Sequence, residues 1–350
     1  MKESRNINLD LMRFLGVLII MVAHASPPGW IYQLRNFGTP LLIVASALTY
    51  SVVYSNRSIV VGPFLKKRLI KLILPAWIFL VFGFSLAYLI CLTAQVDYPF
   101  SSSEIIDSFL FYDGIGFVWV FKVYIILALL TPMAIKMSQS GVSNRRYFLM
   151  LLLVYISYEV IFKLAAGYIP AQYLEFFSTT VFVVFPYSVL YFYGMRLPSL
   201  SNFQLISVIV LSLFIFLALM IFKYLQLGEF VPTQVFKYPP RLYYLSYAFF
   251  ALNTVYLVVR HLSIQNSVLR TMVLWLSSHS LWIYLWHIFG FFIWRLWLVD
   301  FVQDGMIRFL LNAIFLLLFG IIMTYLQSAL LAPLKESKYI WRRRVVGLLT

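Results

Sequence analysis

Apolar runs of about twenty residues, separated by short polar or Gly/Pro-containing breaks, recur along the whole chain. That is the length needed to cross the hydrocarbon core of a bilayer as a helix. The breaks divide the chain into ten such runs, near 8–25, 37–55, 70–94, 117–137, 147–166, 176–195, 203–225, 241–260, 271–298 and 306–332. The pattern predicts an all-α polytopic membrane protein, a bundle of about ten transmembrane helices forming one membrane domain over residues 1–350. Two runs are less uniform: 147–166 contains Glu159 and Lys163, and 241–260 is rich in Tyr and Ser. If either failed to cross, the orientation of everything after it would reverse. No internal repeat, low-complexity tract or separate soluble domain is visible, and the longest loop, 95–116, is too short to fold alone. Its stretch VDYPFSSSEIIDSFLFYDG reads either as a hydrated connector or as a short amphipathic or re-entrant element.

Composition agrees, with 63% hydrophobic and 11% charged residues, a balance foreign to soluble domains. Charge adds the orientation, because Lys and Arg gather in short cytoplasmic loops. With the N-terminus inside, the inner segments hold Lys2, Arg5, Arg57, Lys66, Lys67, Arg68, Lys71, Lys136, Arg145, Arg146, Arg196, Arg260, Arg270, Lys335, Lys338 and Arg342 to Arg344, 18 of 27 basic residues. Asp97, Glu104, Asp107, Asp113, Glu175, Glu229, Asp300 and Asp304 fall outside. Both termini are therefore expected in the cytoplasm. The net charge of +15 then reflects topology and anionic membrane lipids, with no nucleic-acid partner required. Cys91 is the single cysteine, which leaves no disulfide framework. The N-terminal MKESRNINLD lacks the small-residue site of a cleaved signal peptide.

Polar groups inside the runs mark cavities, pathways or partners, because lipid does not tolerate them. In NLDLMRFLGVLIIMVAHA, residues 8–25, Asp10, Arg13 and His24 project within about 60° of one another on a helix. Arg13 and His24 are separated by about 16 Å along the axis, whereas Asp10 and Arg13, three apart, are placed to pair. The face reads as a polar wall with a charged cytoplasmic end and an outer imidazole; a snorkelling Arg13 and an interfacial His24 are the plainer alternatives. In SSHSLWIYLWHIFG, residues 277–290, His287 shares a helix face with Ser280 and Tyr284. A single helix over 271–298 would bring His287 to the depth of His24, in one site, unless a helix neighbour satisfies it. His261 and His279 read as interfacial. There is no HExxH or paired-carboxylate pattern, so no metal is expected. In GPFLKKRLIKLILPAW, residues 62–77, Lys66, Lys67, Arg68 and Lys71 form a basic helix end suited to phosphate groups or to lipid headgroups. Lys122 and Glu159, near the outer ends of their spans, either pair or meet a polar substrate.

Together these pieces resemble the acyltransferase-3 family of membrane acyltransferases. Arg13 followed eleven positions later by His24 is similar to its RX10H signature. FGTPLLIVASAL with Ser46, FLKKRLIKLILP with Arg68 and Pro75, GFVWVFKVYIILALLTP with Trp119, and SLWIYLWH with His287 follow in the family's order, from residue 9 to about 290. Two departures stand out. Ser46 is followed by Ala47 where the family often has Gly, which predicts a wider helix crossing there, and the basic pair is Arg68 and Lys71 rather than two arginines. The chain length, FGTP, the LILP ending and KYPPRLYYL at 237–245 look most like the branch of the poly-N-acetylglucosamine biofilm membrane protein and the fucose O-acetylase-like proteins.

The resemblance implies transfer of an acyl group, commonly acetyl, from cytoplasmic acyl-CoA (acetyl-CoA or another) to a sugar hydroxyl of a surface polysaccharide or lipid-linked glycan. It implies a bacterial inner-membrane protein, with membrane lipids and polysaccharide-synthesis machinery as partners. On that reading Arg68, Lys67, Lys71 and Arg13 hold CoA phosphates, and His24, supported by Asp10 and Arg13, is general base or transient acyl carrier. His287, Tyr284 or Ser280 orients the base or donates to the oxyanion, and Ser46, Trp119, Lys122, Glu159 and Ser280 line the acceptor site. Trp30, Tyr32 and Tyr243 would stack on sugars or sit in the interfacial aromatic belt. The competing class is an exporter or flippase of a lipid-linked glycan or polysaccharide. Ten helices and a basic patch suit it, but no inverted repeat supports it.

Overall fold

The computed structural model describes residues 6–55, 57–112, 114–336 and 339–349. The N-terminal MKESR, Asp113 and Lys338, which enter the leader and charge expectations, lie outside the described residues, as do the side chains of Arg342 and Arg344. Among the described residues there is no strand, and ten helices are long and apolar enough to cross a membrane.

In chain order the helices are α1 (Ile7–His24), α2 (Gly29–Leu34), α3 (Gly38–Val53), α4 (Val61–Ala94), α5 (Ser102–Phe109), α6 (Trp119–Ser138), α7 (Asn144–Tyr168), α8 (Ala171–Phe177), α9 (Val184–Arg196), α10 (Asn202–Leu227), α11 (Leu242–His261), α12 (Ser267–Ser278), α13 (Ser280–Ile293), α14 (Gly305–Lys335) and α15 (Ile340–Leu349). Short π and 3-10 turns flank α9, α11 and α13. The starts follow from capping chemistry, since a side-chain oxygen at the N-cap satisfies an otherwise orphaned backbone N–H. Asn6, Ser143 and Asp304 cap α1, α7 and α14. Ser101 with Glu104 and Ser201 with Gln204 form reciprocal capping boxes on α5 and α10.

Four boundaries differ from the hydropathy reading. The third span begins at Val61 rather than 70, so the basic segment lies on the helix itself. The 95–116 loop carries a real amphipathic helix, α5, built on its capping box. The ninth run breaks at His279, whose φ of −102° and ψ of 10° end one helix and start another. Beyond 332 a further helix, α15, forms.

The chain divides into two compact units, residues 1–58 with 130–277 and residues 59–129 with 278–350. In the first unit α3 is central, packed on α1, α9 and α11. Gly16 and Gly194 allow this, for a Cβ on Gly16 would lie 2.6 Å from Leu42 and one on Gly194 would lie 2.8 Å from Ala47 and 3.2 Å from the Val44 backbone. The crossing at Ser46–Ala47 is therefore close, with the missing volume removed from α9 instead of α3. Outside this, α10 packs on α11 through Phe216, Tyr243, Tyr247 and Ala251 and shows Phe203, Phe214 and Leu225 on its other side, as a lipid-facing helix does.

In the second unit α13 packs on α14, and α15 folds back on α14 and α4. Trp286 Nε1 donates to Gln327 Oε1 (2.6 Å), the Gln327 amide donates to the Leu349 carbonyl, and Trp282 Nε1 donates to that of Leu348 (3.4 Å).

Candidate functional site

The first unit carries Asp10, Arg13, His24, Ser46 and Glu159. Asp10 is buried at 5% exposure, and a carboxylate there requires donors. Ser277 Oγ, on α12, donates to it at 2.6 Å, and Arg13 Nη1 lies 3.9 Å away. Arg13 Nη2 in turn donates to Thr49 Oγ1 on α3 at 2.9 Å. The charged end of the α1 face is thus a network joining three helices. It fixes the azimuth of the helix whose last residue is His24, half-buried and followed at once by the turn at Ser26, with φ of 59°. Ser46 is half-buried on α3.

Glu159 is fully engaged. Arg241 Nε donates to Oε2 at 2.7 Å, Tyr155 Oη to Oε1 at 2.5 Å, and the Leu242 backbone N–H to Oε1 at 2.9 Å. The carboxylate therefore sits at the N-terminus of α11, where the helix dipole favours it. Its ion pair is with Arg241, and the Lys122 ammonium lies 5.1 Å above the Tyr112 ring.

The second unit carries the other candidates. Tyr284 and His287 are buried, His287 at 0% exposure. The Tyr284 hydroxyl donates to the Phe117 carbonyl at 2.6 Å. His287 Nδ1 meets the Tyr284 carbonyl; a carbonyl only accepts, so Nδ1 carries the proton. The Phe117 ring stands edge-on to the imidazole at 6.3 Å. The loop that presents Phe117 is pinned by buried Ser108, whose Oγ accepts from the Ile115 N–H at 3.0 Å. Gly114 is required there: its φ is +53°, and a Cβ would fall 2.2 Å from Ser108 Oγ. Trp119 and Ser280 are the first residues of α6 and α13, both half-buried. Because α13 starts at Ser280, His287 lies about 10 Å along it.

Lys67 and Lys71 are exposed and Arg68 half-buried on the leading turns of α4. At 34 residues that helix is about 51 Å long, well beyond the hydrocarbon thickness of about 30 Å.

Thr49, Ser277 and Arg241 complete these networks without standing out in the sequence. A lone hydroxyl on an apolar helix carries no signal, and Arg241 lies in KYPPRLYYL, noticed only for its family likeness.

Ten apolar helices of membrane-crossing length and no strand among the described residues define an all-α membrane protein. A family model described as an acyltransferase domain matches residues 6–332, and the chain belongs to that family; it is a membrane acyltransferase. No curated protein and no solved structure matches the chain.

Proposed function

We propose that this acyltransferase moves an acetyl group from cytoplasmic acyl-CoA to a hydroxyl of a surface polysaccharide or lipid-linked glycan. In this reading it is a bacterial inner-membrane protein with both termini in the cytoplasm, akin to the poly-N-acetylglucosamine and fucose O-acetylase-like branch. The observation that carries it is His24, half-buried at the end of a helix whose orientation the Asp10–Arg13–Thr49–Ser277 network fixes, in a chain of the acyltransferase family.

The neutral imidazole takes the proton of the acceptor hydroxyl as its oxygen attacks the thioester carbonyl carbon. The tetrahedral intermediate collapses with cleavage of the C–S bond, and the CoA thiolate leaves and recovers a proton from the imidazolium. The alternative route forms an acyl-imidazole first and transfers it second. Lys67, Arg68 and Lys71 suit the CoA phosphates by charge and exposure. Tyr284 and His287 act as positioning residues through the Phe117 loop, because the phenol's one proton is already donated to a backbone carbonyl.

His24→Ala is expected to abolish acetylation of the glycan, read by mass spectrometry, while the protein reaches the membrane in normal amount. Unchanged acetylation by that variant would sink the assignment. A surface glycan equally acetylated with and without the intact protein would remove the glycan acceptor.

A further inference from the structure

The first unit holds two cations in electrostatic reach of each other that the reaction above does not use, Lys237 buried and Arg35 half-buried. Arg35 follows α2, and Lys237 follows the short turn Thr233–Phe236 before α11. The two segments are locked together. Thr233, fully buried, donates through its N–H (2.9 Å) and Oγ1 (3.1 Å) to Gln33 Oε1 and accepts from Asn36 Nδ2 at 2.9 Å. Lys237 is buried at 8% exposure and lies in electrostatic reach of Arg35. The Arg35 guanidinium stacks on the Tyr32 ring, 3.6 Å from its centroid.

The decisive detail is which guanidinium atoms are left over. Nε and Nη2 of Arg35 are shut off from solvent and meet no hydrogen-bond acceptor among the described residues. These two N–H groups are the side-on edge that grips two oxygens of one carboxylate or phosphate. Among the described residues the phenols of Tyr32, Tyr244 and Tyr238 favour the charged guanidinium, Tyr32 also by a hydrogen bond, while the Lys237 ammonium repels it. Buried N–H donors without acceptors are costly, and two neighbouring cations in a poorly polarisable interior repel. Both costs vanish if an oxyanion sits between them. Burial and the Arg35 charge together push the Lys237 ammonium down to about 7, a penalty that a bound anion reverses.

The site lies at the His24 end of α1. Gly38, two residues beyond Asn36, backs onto Ile19 and Ile20, and a Cβ there would fall 2.9 Å from Ile19. We infer that Arg35 and Lys237 form a built oxyanion site that holds a phosphate or carboxylate carried by the acyl acceptor near its reacting hydroxyl. Naming the acceptor as the carrier rests on the acyl-transfer reading; the oxyanion site itself does not.

The test is calorimetric titration of the full chain in phosphatidylcholine nanodiscs with inorganic phosphate and, separately, with glucuronate. Saturable binding of at least one anion is expected, weakened at least tenfold in Arg35→Lys, which keeps the charge but loses the two-pronged edge, and in Lys237→Gln. Preference for phosphate indicates a lipid-linked phosphodiester acceptor, and preference for glucuronate an acidic sugar. The proposal is overturned if the wild-type chain binds neither anion saturably, or if both variants bind as the wild type does. Nanodiscs containing phosphatidylglycerol supply one further arm: if they abolish anion binding, bulk lipid fills the site and the acceptor assignment fails. No donor is present in these titrations, so an acylating His24→Ala variant would sink the reaction scheme and leave this result standing.

Discussion

Arg196 shows how a buried arginine is satisfied without a carboxylate. Its Nε donates to the Ser138 carbonyl at 3.0 Å, Nη1 to that of Val142 at 2.5 Å, and Nη2 to those of Ser140 at 2.8 Å and Met137 at 3.2 Å, while the Tyr147 ring covers it at 4.3 Å. It ties the α6–α7 turn to the end of α9. Arg196→Ala is expected to cost about 2–3 kcal/mol, since several charge-assisted bonds go but part of the exposed turn can rehydrate. The check is a lowered thermal midpoint in detergent with acyl-CoA affinity unchanged. Against this standard the orphaned edge of Arg35 stands apart. The sequence alone marked Asp10, Arg13, His24 and Glu159 as groups that membrane helices do not carry idly. It did not name Ser277, Thr49 or Arg241 as their partners, because a hydrogen bond across 36, 82 or 267 positions leaves no local pattern.

For whole helices, hydropathy matched the ten helices long and apolar enough to cross a membrane in number, since lipid demands length and apolarity. It was weaker where packing decides. The Ser46–Ala47 departure predicted a wider crossing, yet Gly194 on α9 supplies the space, a compensation visible only when the two helices are seen together. Gly194→Ala should therefore destabilise the protein by about 1–3 kcal/mol, because the added carbon meets a neighbouring backbone that cannot rotate away. Gly83→Ala on α4, where a Cβ meets nothing within 4 Å, should be neutral or slightly stabilising. Thermal unfolding of the two variants side by side checks the pair, and equal behaviour would refute the close-crossing account. The break at His279 was equally hidden, for SSHSLWIY is apolar enough on either side to read as one helix.

The proposed chemistry assigns donor phosphates to the leading turns of α4 and proton transfer to His24, with the Arg35–Lys237 site a separate anion-binding element. If so, Arg68→Ala weakens acyl-CoA binding, more for CoA than for dephospho-CoA, and leaves inorganic phosphate binding at Arg35 untouched. Calorimetry with each ligand measures this, and equal loss for CoA and dephospho-CoA would assign Arg68 to folding instead. By itself the sequence determined the class of protein, the number of spans and the residues whose presence in lipid needs a reason, because hydrophobicity, periodicity and charge cost act over one helix length. The tertiary structure alone decided which of those groups are already satisfied, how closely the helices cross and where guanidinium N–H groups of Arg35 stay without an acceptor among the described residues. Those outcomes depend on atoms brought together from distant parts of the chain, and a buried polar group is judged by its neighbours in space.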